Sequence, residues 1–342
     1  MVADESCHCG CALAAWAEGD FRNPVGIIGC GSYLPPRVVP NEEVAAAAGV
    51  TASWIEERTG IRSRRFADES QAASDLAALA CEEALADAGI TAADVSVIVV
   101  ATSTPDSPQP PTACVLQHLI GAHKASAFDV NAVCSGFVFA LDVARRMVDQ
   151  GGFALVVGVD VYSRIIDPAD RRTAVLFGDG AGAVVLGPSA TGSIHGVRLA
   201  SFGAHRDLIR VPAGGSRIPP SKESLLAGEH YFQMNGRAVR EFVKQEVPPA
   251  VQDFIGHLPV NAGAVRHFIP HQANQVMLRE LVTELGLPNV RMHETVAEFG
   301  NTGAASIPVT LAAARTEIQR GDDVLLTAFG GGMAMGLALV RW

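Results

Sequence analysis

Two kinds of apolar pattern alternate along most of this chain. The runs VSVIVVATS, FALVVGVDV and AGAVVLG are continuously apolar over strand length, as in strands buried on both faces. Residues 41–50, 51–59, 75–88 and 236–255 instead place apolar side chains at helical spacing. Asn41 and Thr51 open the first two of these helices, and Gly89 stops the third. NPVGIIGCGSYLP reads as a strand entering a Gly/Pro turn, whereas residues 203–229 are rich in Gly, Pro and Ser and read as long loops. Buried strands alternating with helices predict an α/β fold built in layers. Residues 1–23 show no sustained period and are expected to form a disordered N-terminal tail.

The plan strand, turn, helix, Gly stop, strand occurs twice. FDVNAVCSGFVFALDVARRMVDQGGFALVVGVD gives it first, with the helix running to Gln150. MHETVAEFGNTGAASIPVTLAAARTEIQRGDDVLLTAFG repeats it, with Asn301-Thr302-Gly303 where the first copy has Cys134-Ser135-Gly136. VSVIVVATS and VRHFIPHQAN likewise both lead from a strand through a loop into a helix. A duplicated chain is therefore expected, with residues 24–187 as one half and residues 188–342 as the other. A pseudo-twofold between the halves would turn Cys134 and Asn301 toward a shared centre.

Composition narrows the classes. With 342 residues, 49% of them hydrophobic, the chain can bury one large core or two fused ones. A net charge of −10 disfavours binding to nucleic acid or to an anionic membrane, both of which need basic surface. No apolar stretch approaches the ~20 residues that span a bilayer. Asp4 and Glu5 occupy the place of a basic signal-peptide start, so a cytoplasmic protein is expected. Cys7, Cys9 and Cys11 crowd into the tail around His8, but spacing of one residue is tighter than in structural zinc sites and no CxxC follows. Free thiols in a reducing compartment are expected there, and no metal.

Three residues at strand ends carry the candidate chemistry. Cys134 opens a helix whose apolar positions include Phe137, Val138, Leu141 and Ala144, and a helix N-terminus is expected to depress its pKa. His271 follows the strand HFIP, with Pro270 fixing its backbone. Asn301 sits on a turn flanked by Gly300 and Gly303. Singly, each has an ordinary role as a small core cysteine, a strand-end histidine or a turn-capping asparagine. Together, a thiol that takes an acyl group and two donors for a thioester oxygen suit thioester chemistry. FGDGAGAVVLG lacks the Lys-Ser/Thr of a phosphate loop and reads as a structural turn.

In the order NAVCSGF, IPHQAN, GNTGAAS, residues 24–342 resemble the β-ketoacyl-acyl carrier protein synthase III family, condensing enzymes of the thiolase superfamily. The resemblance implies a thiolase-like fold of two similar halves in α-β-α-β-α layers, a homodimer, and no metal or redox cofactor. It implies that acyl-CoA acylates Cys134, with the backbone NH groups of Cys134 and Gly331 as the oxyanion hole. His271 and Asn301 would stabilise the enolate left when a malonyl thioester, carried on CoA or on an acyl carrier protein, loses CO2. Coenzyme A would lie against Trp54, Arg58, Arg171, Gly236 and Asn274, and the acyl pocket would be lined by Gln109, Leu176, Phe177, Met234 and Phe329.

Neighbouring subclasses fit less well. A degradative thiolase needs a second cysteine near the C-terminal glycines, and no cysteine follows Cys134. Elongating enzymes have histidine where Asn301 stands, and hydroxymethylglutaryl-CoA synthase relatives have glutamate where Ser103 stands. The chain also departs from the family. Gln109 replaces a bulky phenylalanine, and Arg240-Glu241 replaces an aromatic gate and a lysine. Gln275-Val276 lacks the arginine often found after HQAN, and Glu284 interrupts a basic stretch. These changes weaken the surface expected to meet an acidic carrier protein and indicate a specialised homologue of a polyketide or other secondary pathway. Two alternatives remain open: an acyltransferase passing the acyl group to an alcohol, amine or carrier without decarboxylation, and a non-catalytic acyl-CoA or partner-synthase binding protein.

Overall fold

The computed structural model describes residues 24–148 and 151–342, so the N-terminal tail and the predicted helix end at Gln150 lie outside the described residues. Two five-stranded sheets organise the chain. In the first, Asp179–Pro188 runs antiparallel between Val25–Tyr33 and Phe153–Val161. Val95–Ala101 and then Ser126–Val130 continue that sheet in parallel beyond Phe153–Val161. The second sheet repeats the arrangement. Ala334–Arg341 lies antiparallel between Ser193–Ser201 and Asp323–Gly330, with Val265–Pro270 and Arg291–Met292 parallel beyond. Same order, same directions: the fold is duplicated.

The equivalence corrects the register expected between the copies. The 3-10 turn Val133–Ser135 precedes helix Gly136–Met147, and the 3-10 turn Gly303–Ala305 precedes helix Ser306–Ala314. Ala304 therefore stands where Cys134 does, and Asn301 matches Asn131, three residues from the expected pairing. Both segments carry an Asn and a Gly after the strand, five residues apart in the first (Asn131, Gly136) and two in the second (Asn301, Gly303), and the position of the 3-10 turn decides the alignment.

Helices Gly136–Met147 and Ser306–Ala314 lie between the sheets; the second is apolar nearly all round, and the first is apolar up to Asp142, whose carboxylate pairs with Arg145 and Arg146 at its C-terminal end. Ala73–Ala88 and Thr112–Leu119 cover the outer face of the first sheet. Gly236–Gly256 and Gln275–Glu284 pack together on the outer side of the second, where Phe254, Leu278 and Leu281 join the core around Phe268 and Leu325. This is the expected five-layer order. The residues 203–229 hold only a 3-10 turn, the two-residue strand Ile209–Arg210 and the short helix Lys222–Leu226. Among the described residues no helix is long and apolar enough to cross a membrane.

Packing of the two halves brings the turn Val133–Ser135 against the turn Gly303–Ala305, at the ends of parallel strands from both sheets. The shared centre expected from the duplication is real.

Candidate active site

Cys134 is held in a strained turn. Val133 has φ 49°, a conformation that a β-branched side chain rarely adopts. Its N–H donates to Asn131 Oδ1 at 3.1 Å, and the Ser135 hydroxyl donates to the Ala334 carbonyl at 2.9 Å, which pins the turn from both sides. Gly330 of the second sheet faces it so closely that a Cβ there would lie 2.9 Å from both the backbone nitrogen and Cβ of Cys134. Strain of this kind costs roughly 1–3 kcal/mol and persists where the surroundings fix it. Asparagine tolerates positive φ better, so Val133→Asn should stabilise the fold by about 1 kcal/mol, read as a higher urea midpoint with unchanged slope. A lower midpoint would mean that valine packing outweighs the backbone strain.

The expected depressed thiol pKa is not what this environment produces. Cys134 is 5% exposed, and burial pushes its thiol up to about 12, with the Asp160 carboxylate adding to the effect. The helix follows the 3-10 turn instead of starting at Cys134 itself, which sets the thiol back from its N-terminus. Desolvation wins over the helix dipole. The Cys134 thiol rests neutral.

His271 and Asn301 come from the second half. The His271 N–H donates to the Thr327 carbonyl at 2.8 Å, its Nδ1 lies 2.7 Å from the Ser306 hydroxyl, and its ring packs edge-on to Phe329 at 5.4 Å. Burial depresses its pKa to about 3, slightly offset by the Gly303 carbonyl, so the imidazole is neutral at physiological pH. Asn301 Oδ1 accepts from the Gly303 N–H at 2.9 Å, which commits the oxygen and leaves the amide nitrogen as the donor. Its backbone bridges to the segment at Phe177: Asn301 N–H donates to Leu176, and the Gly178 N–H donates to Asn301. The FGDG run is thus a support for the Asn301 turn, as read from sequence.

A fourth group escaped sequence reasoning. Asp160 is fully buried at the end of strand Phe153–Val161 and accepts from the Ser103 N–H, the Ser103 and Thr104 hydroxyls and the Ala304 N–H, all at 2.8–2.9 Å. Gly303 closes over it: with φ 57°, a Cβ there would meet Asp160 Oδ2 at 2.2 Å and the Tyr162 ring at 2.4 Å. The one sequence signal was an aspartate ending an apolar strand.

Outward from Asn301 runs a cleft of about 450 Å³. Trp54, Arg58, Arg171, Gly236 and Asn274, the residues predicted to hold coenzyme A, all line it, together with Leu176 and Met234 of the predicted acyl pocket. Thr51 caps the helix Ala52–Thr59 by accepting from the Trp54 N–H, and Gly60 ends it in the left-handed conformation. Asn274 caps the helix Gln275–Glu284 and donates to the Arg58 carbonyl at 3.2 Å, tying the two walls together. Arg172, Arg237 and Arg240 also line it, but each is paired with a carboxylate (Asp170, Glu241 and Glu280), so among the described residues Arg58 and Arg171 carry the rim's unneutralised positive charge. Such a rim suits a phosphate-bearing ligand. Of the other predicted pocket residues, Phe177 stacks on Tyr162 at 4.4 Å, Phe329 lies on His271, and Gln109 is exposed on its loop away from the cleft lining.

Comparison with known proteins adds the family. Models of 3-oxoacyl-[acyl-carrier-protein] synthase III match residues 128–203, and those of its C-terminal region match residues 257–342. The acetoacetyl-CoA synthase NphT7 of a Streptomyces strain is 56% identical over 322 residues, 92% of this chain and 98% of that one. The β-ketoacyl-[acyl-carrier-protein] synthase III of Clostridioides difficile is 40% identical, across 94% of this chain and 99% of its own. Among solved structures, a priming β-ketosynthase from a polyketide biosynthetic pathway superposes with a TM-score of 0.87 at 32% identity, covering 93% of this chain and 96% of that one. The 3-oxoacyl-[acyl-carrier-protein] synthase III of Aquifex aeolicus gives 0.84 at 34% identity, covering 93% and 100%.

Proposed function

Because the chain belongs to the 3-oxoacyl-[acyl-carrier-protein] synthase III family, we propose that it joins an acyl group from acyl-CoA to a malonyl thioester by decarboxylative condensation, giving a β-ketoacyl thioester in a fatty acid or polyketide pathway. The observation that carries this reading is the meeting of the Cys134 turn with the Gly303–Ala305 turn, directly after Asn301, which lines the arginine-bearing cleft. Acyl transfer to Cys134 passes through a tetrahedral intermediate held by the backbone NH groups of Cys134 and Gly331. In the tautomer protonated on Nε2, the Ser306 hydroxyl 2.7 Å away donates to Nδ1, and neutral His271 presents Nε2–H to the malonyl thioester oxygen beside the Asn301 amide. Loss of CO2 then leaves an enolate held by two neutral donors, and its carbon attacks the acyl-enzyme.

The acceptor in this reading is malonyl-CoA in preference to a malonyl carrier protein. Along the outer helices Gly236–Gly256 and Gln275–Glu284, Arg237 pairs with Glu241, Arg240 with Glu280 and Lys244 with Glu284. Each cation that could greet an acidic carrier already faces a carboxylate, which slows electrostatically steered encounter. Coenzyme A is held elsewhere, by Trp54, Arg58 and Arg171. Acetyl-CoA with malonyl-CoA should therefore give acetoacetyl-CoA and CO2 faster than acetyl-CoA with a housekeeping malonyl carrier protein. Glu241→Lys should raise kcat/KM for the carrier, more so at low salt, and leave self-acylation unchanged. Efficient carrier turnover insensitive to Glu241→Lys and to ionic strength would place the docking surface elsewhere.

A further inference from the structure

Behind the Asn301 turn lies a charge that the condensation does not use. Arg64, on the short strand Ser63–Phe66, is fully buried, and among the described residues no carboxylate pairs with it. Glu43, the acid that acts on it through space, is paired with Arg37 at the surface. Burying an unpaired guanidinium is costly unless its donors are met. Here neutral acceptors from three segments meet them. Arg64 Nη2 donates to Asn41 Oδ1 at 3.0 Å and to the Val175 carbonyl at 2.9 Å, and Nη1 lies 3.5 Å from the Val39 carbonyl. Asn41 is itself fixed, donating to the Ile61 carbonyl at 2.6 Å. Burial lowers the Arg64 pKa to about 10, which leaves the side chain charged at neutral pH.

These contacts end beside Asn301. The stem of Arg64 lies against two glycines: a Cβ on Gly178 would fall 3.0 Å from Arg64 Cβ, and one on Gly300 would fall 3.2 Å from it. Gly178 and Gly300 flank the bridge between Phe177 and Asn301. The guanidinium holds the Val175 carbonyl, and the next carbonyl, that of Leu176, accepts the Asn301 N–H at 2.8 Å. The Gly178 N–H donates in turn to the Asn301 carbonyl at 3.0 Å. Residues beside Arg64 grip the approach to the turn from the other side. The Arg62 N–H donates to the Ala297 carbonyl at 2.7 Å, and the Ser63 hydroxyl to the Glu298 carbonyl at 2.9 Å, both on helix Val296–Phe299. Strand Ser63–Phe66 is thus wedged between the two segments that meet at Asn301.

Resting on the reading of Asn301 as an enolate donor, we propose that Arg64 is the positioning residue for the Asn301 carboxamide. Fully buried behind the bridge, it acts through the backbone from Val175 to Gly178. The Asn301 side-chain oxygen is committed to the Gly303 N–H, so the place of the backbone at 301 decides where the amide nitrogen points. Arginine suits the task because one planar head donates to several acceptors at once, while its stem fills the space left by Gly178 and Gly300. Lysine carries the charge but not the fork.

The test compares Arg64→Met, which keeps the length and removes the donors, with Asn301→Ala and the double variant. Malonyl-CoA decarboxylation should fall by about 10²-fold in Arg64→Met, the scale for a displaced reacting group, while single-turnover acetylation of Cys134 stays near wild type. In the Asn301→Ala background the same change should cause no further loss, because the amide it places is gone. Arg64→Lys should fall between methionine and wild type, and it carries the same cycle if the methionine variant does not fold. Unchanged decarboxylation, equal losses in both half-reactions, losses that add to those of Asn301→Ala, or failure of both variants to fold would overturn the assignment. Amide hydrogen exchange keeps this result apart from failure of the condensing reading. In the Arg64 variant the Asn301 and Gly178 amides should exchange about 10-fold faster, with those of strand Phe153–Val161 unchanged. That result in a protein whose wild type neither acetylates nor decarboxylates would keep the brace and defeat the condensing reading, whereas unchanged exchange would defeat the brace.

Discussion

Cys134→Ala is expected to abolish condensation completely and to leave no acyl mass on the protein after incubation with acyl-CoA. Among the described residues the other cysteines are poorly placed to substitute: Cys30 and Cys81 are buried, with thiols pushed up by desolvation, and half-buried Cys114 lies on the outer helix Thr112–Leu119 with its thiol donating to the Ala127 carbonyl. The substitution removes one sulfur from a tight turn and should barely alter folding. His271 and Asn301 remain in place, so slow decarboxylation of malonyl-CoA should persist without product. Intact-protein mass spectrometry reads the first result and CO2 release the second. An acyl adduct on the alanine variant would put the nucleophile elsewhere.

Asn301→Ala should separate the two stages. Its amide is oriented by the Gly303 N–H and donates to developing negative charge, a contact worth roughly 2.7–4 kcal/mol when it resembles one oxyanion-hole donor. Decarboxylation should fall by about 10²–10³-fold, while acylation of Cys134, which makes no enolate, should change little. Comparison of single-turnover acylation with malonyl-CoA decarboxylation measures the split. Equal losses in both would mean that Asn301 acts by supporting its turn, which its backbone bonds to Leu176 and Gly178 also do.

What the sequence made legible was local. Cys134, His271 and Asn301 announced themselves because each motif lies within a few residues of a strand end. Trp54 and Arg58 were readable for the same reason, one helical turn apart behind a Thr cap. Quantities set by distant contacts were not readable. The thiol was expected to be acidic because its own helix follows it, but Gly330 and Ala334, two hundred residues later, complete its burial and reverse the sign. Asp160 looked like the polar end of an apolar strand. That Ser103, Thr104 and Ala304 all converge on it depends on sheet order and on the packing of the halves, neither of which local pattern encodes. The misplaced register between Cys134 and Asn301 has a similar cause, since the shared glycine of the two motifs does not reveal where a 3-10 turn begins.

The most direct test of the condensing reaction is a chase on a single enzyme sample. Wild-type protein is first loaded with isotopically labelled acetyl-CoA and freed of excess donor, and the Cys134 peptide is weighed before and after addition of malonyl-CoA. The account predicts that the acetyl mass leaves Cys134 as labelled acetoacetyl-CoA appears, with one CO2 released per acetyl group discharged. An acyl-enzyme that survives malonyl-CoA, or that is discharged to an alcohol or amine with no CO2, would contradict condensation and make the chain an acyltransferase of the same fold.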